Sequence, residues 1–213
     1  MGKKTGAGTS AQGGGALGRW WDGFSSRHPK ASTWIREGGL FLIISYLVTF
    51  FKYLIMLFLP NLFGLELAGN GWGWPNATFT VADVTFTFNV LGYAPLLDDA
   101  GQVIIGGGLG YCFAVWISII LGECVNFPLQ RKFTFKNSGP LAKQVPIYAV
   151  GVLVVNLALN AFNSVWTGLA QYLVPPAVYN IVTTVVAGGI CMVVFFVIDK
   201  IIFAPDFGQP KRR

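Results

Sequence analysis

Polar side chains interrupt the long apolar runs of this sequence at spacings that could bind a polar ligand. In the first run, Ser45, Thr49 and Lys52 stand at i, i+4 and i+7, which places two hydroxyls and an ammonium on one helix face. A lysine in mid-membrane costs about 2.5–3.5 kcal/mol on insertion scales, so Lys52 is expected to face the bundle interior, an aqueous cavity or an acidic ligand. The alternative is that its stem snorkels outward to the headgroups.

Three asparagines of a later apolar run, Asn156, Asn160 and Asn163, repeat the same spacing. Lipid satisfies none of their hydrogen bonds, so these amides need partners on other helices, water or a ligand. Helix–helix hydrogen bonding, at about 0.6 kcal/mol per bond on average, is the alternative to ligand binding. Because the two spacings match, we expect the asparagines to share one polar interior with Lys52.

Two apolar runs end in similar segments. Residues 130–135, Gln-Arg-Lys-Phe-Thr-Phe, align without gaps with residues 198–203, Ile-Asp-Lys-Ile-Ile-Phe. Lys200 then falls on Lys132, and both segments close with phenylalanine. Repetition of one kind of helix end predicts a duplicated membrane unit, built from two helical hairpins.

The second copy of this segment is imperfect, because the alignment sets Asp199 on Arg131. Glu123 lies shortly before the first copy, near the end of its own apolar run. We expect it either to pair with Arg131 or Lys132 at the membrane interface or to take part in coupling or substrate control.

Composition identifies an integral membrane protein. The chain has 213 residues, of which 54% are hydrophobic and only 11% charged, too few charges to coat a soluble globule. We predict an all-α membrane protein whose four transmembrane helices form two parallel-repeated helical hairpins over residues 33–205. The predicted spans are about 38–59, 107–127, 145–169 and 177–202.

Cations decide the predicted orientation. Lys and Arg occur in the N-terminal segment, in the connection between the second and third spans and at the C-terminus, while residues 61–102 contain none. By the positive-inside rule, both termini are cytoplasmic, and 61–102 is an extracytoplasmic insertion in the cell membrane. The basic charge therefore reflects membrane orientation, and we expect no nucleic-acid partner.

Segments outside the spans have their own patterns. The alternation of polar and apolar residues over 78–88 predicts a small β-hairpin that turns near Ala82 and Asp83. Residues 1–32 are interpreted as a flexible basic cytoplasmic tail and 206–213 as a second one. Within the first tail, an alternative is a short interfacial helix, since four apolar residues recur at helical spacing: Leu17, Trp20, Trp21 and Phe24.

Residues 126–135 resemble the signature of the GtrA-like family of small four-span bacterial membrane proteins, Asn-Phe-x-x-x-Arg-x-Trp-x-Phe. Asn126, Phe127, Arg131 and Phe135 match this signature, while Phe133 stands where the pattern has Trp. The resemblance covers residues 33–59 and 104–205. It implies participation in cell-surface polysaccharide synthesis by flipping a polyprenyl-phosphate-linked monosaccharide across the membrane.

Such a substrate needs a cation for its phosphate, polar groups for its hydroxyls and an apolar groove for its tail. On this interpretation Arg131, Lys132 and Lys200 receive the phosphate, and the intramembrane polar residues carry the head group across. The full set of candidate substrate-binding residues is Arg131, Lys132, Lys200, Lys52, Ser45, Thr49, Asn156, Asn160, Asn163, Glu123 and Asn126.

No nucleophile–base pair, nucleotide-binding loop or metal-ligand spacing is recognisable in the sequence, so we expect neither enzymatic activity nor a cofactor. Four helices make a thin wall around a sugar, which favours a homodimer. One alternative is a non-transporting adaptor that recruits a membrane glycosyltransferase for polyprenyl phosphates. Another is a transporter of small solutes.

Overall fold

The computed structural model describes residues 15–81 and 84–204, and helices dominate this part of the chain. Four of the helices are long and apolar enough to cross a membrane, which confirms the predicted all-α membrane fold. The helices are α1 Ala16–Arg27, α2 Pro29–Phe58, α3 Gly64–Gly69, α4 Gly108–Leu129, α5 Leu141–Leu173 and α6 Tyr179–Ile202.

The four long helices pack as two pairs, α2 with α4 and α5 with α6. Aromatic residues join the pairs at the end of the bundle where α4 and α6 finish, which we call the basic end. Phe203 lies there with its ring centroid 5.4 Å from that of Phe127 and 5.4 Å from that of Phe135. The aligned residues Phe135 and Phe203 thus meet in one cluster, which also contains Tyr148.

The N-terminal segment differs from its prediction. Residues 16–27 form the amphipathic helix α1, and α2 begins at Pro29, earlier than the predicted start of the first span. A flexible tail over 1–32 is therefore wrong for residues 16–32, where aromatic packing such as Trp20 on Phe24 accompanies the helix. Residues 1–14 and the predicted tail 206–213 lie outside the described residues.

Short hairpins occupy the opposite end of the bundle, the hairpin end. The predicted hairpin is present, with β2 Ala77–Val81 antiparallel to β3 Val84–Phe88; the turn at 82–83 lies outside the described residues. Two further hairpins pair β1 Trp72–Trp74 with β4 Leu91–Tyr93 and β5 Leu96–Leu97 with β6 Val103–Ile104. These strands are too short to show a period in the sequence.

Helix α4 continues through Pro128, past the predicted end of the second span at about residue 127. The proline lies inside the helix, which continues to Leu129 and then as a wide π-type turn over Gln130–Thr134. A proline removes one backbone hydrogen bond, and membrane helices tolerate this loss where local π adjustments and neighbouring groups compensate. Gln130 is fully buried and donates to the Phe41 carbonyl oxygen, which fastens the turn to α2.

Candidate functional site

An ion pair inside the bundle is the main feature of the candidate site. Lys52 of α2 places its Nζ atom 2.7 Å from Oε1 of Glu123 in α4, and both side chains are largely buried. The expectation that Lys52 faces the interior is confirmed. The expected pairing of Glu123 with Arg131 or Lys132 is wrong, because the close packing of α2 on α4 brings Lys52 within reach first.

The second oxygen of Glu123 is also satisfied. Its Oε2 atom accepts a hydrogen bond from the Tyr148 hydroxyl at 2.6 Å and another from Asn126 Nδ2 at 2.9 Å. Tyr148 belongs to α5, so the carboxylate links both helical pairs. A carboxylate with three donors can exchange one donor without losing the others.

Gly122 makes the approach of Lys52 possible. A methyl group at this position would overlap the lysine stem. Because glycine has no side chain, the lysine crosses α4 at van der Waals distance and its ammonium reaches Glu123. Sequence inspection did not select Gly122, since a single glycine in a membrane helix is common.

A cavity of about 540 Å³ opens beside this ion pair, between α2, α4 and α6. Its volume lies within the range of small-molecule sites, about 300–1,000 Å³. One wall is polar and the other is apolar, contributed mainly by α6. The polar wall comprises Ser45, Thr49, Lys52, Glu123 and Asn126, five of the predicted substrate-binding residues.

Small residues of α6 leave one side of this cavity unobstructed. Gly188 and Gly189 line it, and a side chain added at either position would meet open space. Helices α2 and α6 touch little along their length. They are fastened at the basic end, where Lys200 of α6 forms a salt bridge with Glu37 of α2. The seam between the two helices is therefore the candidate lateral entrance from the lipid.

A second cavity, of about 440 Å³, lies at the basic end and contains Arg131, Lys132 and Lys136. The Arg131 guanidinium is engaged, since its Nε donates to Gln144 Oε1 at 2.9 Å and its Nη2 to the Gly139 carbonyl oxygen at 2.6 Å. Arg131 thus holds the 135–140 connection against α5. Lys132 is exposed and, among the described residues, forms no salt bridge.

The predicted grouping of Lys200 with Arg131 and Lys132 is wrong. Lys200 is neutralised by Glu37, and its ammonium lies 3.8 Å from the ring centroid of Trp34. It does not line the basic cavity. The alignment correctly predicted that both segments lie at one end of the bundle. It could not show that Glu37 of α2 lies beside Lys200 in the second segment, whereas α2 provides no such acid beside Lys132 in the first.

The expectation of one interior shared by Lys52 and the asparagines is also wrong. Asn156 donates to the carbonyl oxygen of Val152 in its own helix, while Asn160 donates to that of Val90 in the insertion. Asn163 lines a different cavity, at the hairpin end. Helix α5 packs on α6 and on the hairpin rather than on α2, so its amide face meets the insertion.

Asp199 is a second buried carboxyl that the sequence comparison treated only as a mismatch. Its side chain is fully buried, and within the described part of the chain neither oxygen has a hydrogen-bond partner. It is close enough to Tyr148 to interact with it electrostatically, as Glu123 does. Tyr148 was missed because a tyrosine near the end of a membrane span is ordinary for the headgroup layer.

These features define a multi-pass membrane protein with an ion pair in a cavity between its helical pairs. Residues 93–203, just over half of the chain, match the family model described as GtrA/DPMS, transmembrane domain. The chain belongs to this family, which assigns it a role in membrane-associated polysaccharide or glycan synthesis. No curated protein and no solved structure matches the chain. The matched range includes Glu123, whereas Lys52 precedes it.

Proposed function

We propose that this protein flips a polyprenyl-phosphate-linked monosaccharide across the cytoplasmic membrane, binding the phosphate at Lys52. The observation that carries the proposal is the cavity beside the Lys52–Glu123 pair. A bare ion pair in lipid would only cost energy, whereas one beside a cavity can exchange a partner with an anionic ligand.

Partner exchange gives a simple binding step. The phosphodiester takes the place of Glu123 at the Lys52 ammonium, and Glu123 keeps its bonds from Tyr148 and Asn126. Lys52 has an anionic partner in both states, while Glu123 retains two hydrogen bonds in place of its counter-ion, which limits the cost of the exchange. The apolar wall of the cavity and the seam between α2 and α6 suit a polyprenyl chain, which stays in the lipid throughout.

The basic cavity supports collection of the head group before it enters. Lys132 and Lys136 lie beside apolar groups of Phe127 and Leu141, a combination that fits a phosphate attached to a hydrocarbon chain. We place this end, with both termini, on the cytoplasmic side, as the distribution of cations predicts. Accessibility of single cysteines at Asp98 and Lys136 to membrane-impermeant reagents tests this orientation.

The proposal includes no chemical step, and the protein acts as a transporter rather than an enzyme. A homodimer is part of the proposal, since little of the apolar surface of α6 is covered by the rest of the chain. Cross-linking in native membranes tests it. The adaptor alternative draws on the same exposed Lys132 and Lys136, which would then contact a glycosyltransferase instead of a lipid.

The decisive experiment measures flipping of short-chain polyprenyl-phosphate glucose and polyprenyl-phosphate mannose in reconstituted vesicles. The test variant is Lys52→Met with Glu123→Gln, which removes both charges together and leaves no unpaired ion. We expect its flipping rate to fall roughly tenfold to hundredfold, the equivalent of one charge-assisted hydrogen bond. Lys30→Met, at the exposed start of α2, is the matched control and should flip at the parental rate.

Flipping by the double variant at the parental rate would overturn the role of Lys52. A parent protein that flips neither lipid but copurifies with a polyprenyl-phosphate glycosyltransferase, through Lys132 and Lys136, would establish the adaptor instead.

A further inference from the structure

A third cavity lies at the hairpin end, between β3 and α5, and differs from the other two in having no charged residue in its lining. Its volume is about 430 Å³, again within the range of small-molecule sites. The groups that face it are mostly amides and hydroxyls. They include Asn163 and Thr167 of α5 together with Thr85, Thr87 and Asn89 of the insertion.

Specific contacts hold the insertion against α5 and so fix the walls of this cavity. Asn160 Nδ2 donates to the Val90 carbonyl oxygen at 2.9 Å, and the Asn89 backbone N–H donates to Ser164 Oγ at 3.1 Å. Gly168 lies where β3 crosses the helix, and a methyl group there would overlap Phe86. The cavity is thus preformed by packing rather than left by a loosely attached loop.

Two polar groups of α5 at the cavity remain available to a ligand. Among the described residues the Asn163 amide makes no side-chain hydrogen bond. The Thr167 hydroxyl donates its proton to the Asn163 carbonyl oxygen and keeps its oxygen free to accept. Such groups can bind the hydroxyls of a ligand without first breaking a hydrogen bond within the protein.

The chemistry of this lining selects a class of ligand. Without a cation it has nothing to neutralise a phosphate, and without an anion it has nothing to hold an amine. Amides and hydroxyls both donate and accept hydrogen bonds, as the hydroxyls of an uncharged sugar require. Phe86 adds an apolar surface for the C–H face of a sugar ring.

We infer that this cavity binds an uncharged monosaccharide head group, and that the insertion supplies half of the site. The inference rests on the proposed function, to which it adds a second, successive station: the sugar reaches the cavity between β3 and α5 after its phosphate has left Lys52. Strands β2 and β3 lie outside the range matched by the family model, so this station belongs to the added segment of this chain.

Binding can be tested without any transport. The full chain in nanodiscs is examined by saturation-transfer NMR with four probes, the methyl glycosides of glucose, mannose, galactose and N-acetylglucosamine. The variants Asn163→Leu and Thr167→Val remove ligand-facing groups that fasten no strand. We expect at least one glycoside to bind the parent, and each variant to weaken it about five- to tenfold, as expected for loss of one hydrogen bond.

Asn61→Leu is the matched control, because Asn61 is an exposed asparagine at the same end of the bundle that bonds only within its own helical turn. It should bind the glycoside as the parent does. Melting temperatures of all variants are recorded in parallel, and two independent cavity variants guard against loss of fold in either one.

Failure of this inference and failure of the proposed function give different results. If the parent binds none of the four glycosides, or if both cavity variants bind as well as the parent, the sugar site is overturned while flipping through Lys52 stands. If glycoside binding depends on Asn163 and Thr167 but the parent flips neither polyprenyl-phosphate sugar, the sugar site stands and the flippase proposal falls.

Discussion

The two helical pairs treat their buried polar groups in opposite ways. In the first pair, Glu123 receives three hydrogen bonds and Arg131 has two acceptors. In the second pair, Asp199 occupies the position that aligns with Arg131, and its carboxyl has no partner within the described residues. These charged groups of the first pair thus have partners, whereas the second pair contains a buried carboxyl without one.

The two aligned helix ends share a packing framework rather than a binding site. Phe135 and Phe203 keep equivalent places in the aromatic cluster at the basic end. The ionisable residues beside them do not keep equivalent partners, since Lys132 forms no salt bridge among the described residues while the aligned Lys200 binds Glu37 of α2. Phosphate binding is therefore expected in the first pair.

The largest effect is expected from breaking the ion pair on one side only. Lys52→Met leaves Glu123 charged and buried, which should cost about 3 kcal/mol of stability. This differs from a lysine that snorkels into the headgroups, whose removal would be silent. Thermal unfolding in detergent measures the loss. The double variant Lys52→Met with Glu123→Gln should recover most of it, and failure to recover would show that the lysine stem, not the charge pair, stabilises the packing of α2 on α4.

A smaller loss is expected at the end of the first pair. Arg131→Gln removes charge-assisted hydrogen bonds to Gln144 and to the Gly139 carbonyl oxygen, so stability should fall by about 1.5–3 kcal/mol. Lys132→Gln is the matched control at the neighbouring position and should leave the unfolding temperature unchanged. Equal effects of the two variants would contradict a structural role specific to Arg131.

The smallest change, and one of opposite sign, is expected at Asp199. Asp199→Leu replaces an unpartnered buried carboxyl by an apolar side chain, which should be neutral or stabilise the protein by about 1 kcal/mol. Glu123→Leu provides the comparison and should destabilise, because it leaves Lys52 unpaired. A clear loss of stability in Asp199→Leu would mean that Asp199 has a partner in the membrane and that the two pairs are more alike than their contacts indicate.

The correct predictions depend on energetic preferences that a residue has whatever its partners in the fold are. Lys52 was expected to face the interior because an ammonium in lipid is expensive wherever the helix packs. The length of the apolar runs predicted the four helices, and the alternation of polar and apolar residues predicted the pairing of β2 with β3. Each of these inferences needs only a residue and its near neighbours along the chain.

The partner of each polar side chain depends on which helices pack together. Helix packing could not be predicted from the sequence patterns. Glu123 pairs with Lys52 across 71 residues, and Asn160 reaches Val90 across 70. Matching intervals in two helices suggested a shared face, but helical spacing defines a face without saying what covers it. The insertion covers this face of α5, which places Asn160 and Asn163 at the hairpin end instead of in the predicted interior.

The two salt bridges also constrain how the chain is inserted into the membrane. Lys52 and Glu37 both belong to α2, but their partners belong to helices that follow later in the chain. The partner of Lys52 is in α4, and the partner of Glu37 is in α6, 163 residues further along the sequence. Until α4 and α6 are in place, the Lys52 ammonium and the Glu37 carboxylate lack these partners. The first is neutralised when α4 packs on α2, and the second only when the last helix, α6, arrives. A chain that stops before α6 therefore lacks the salt bridge that fastens the basic end of α2.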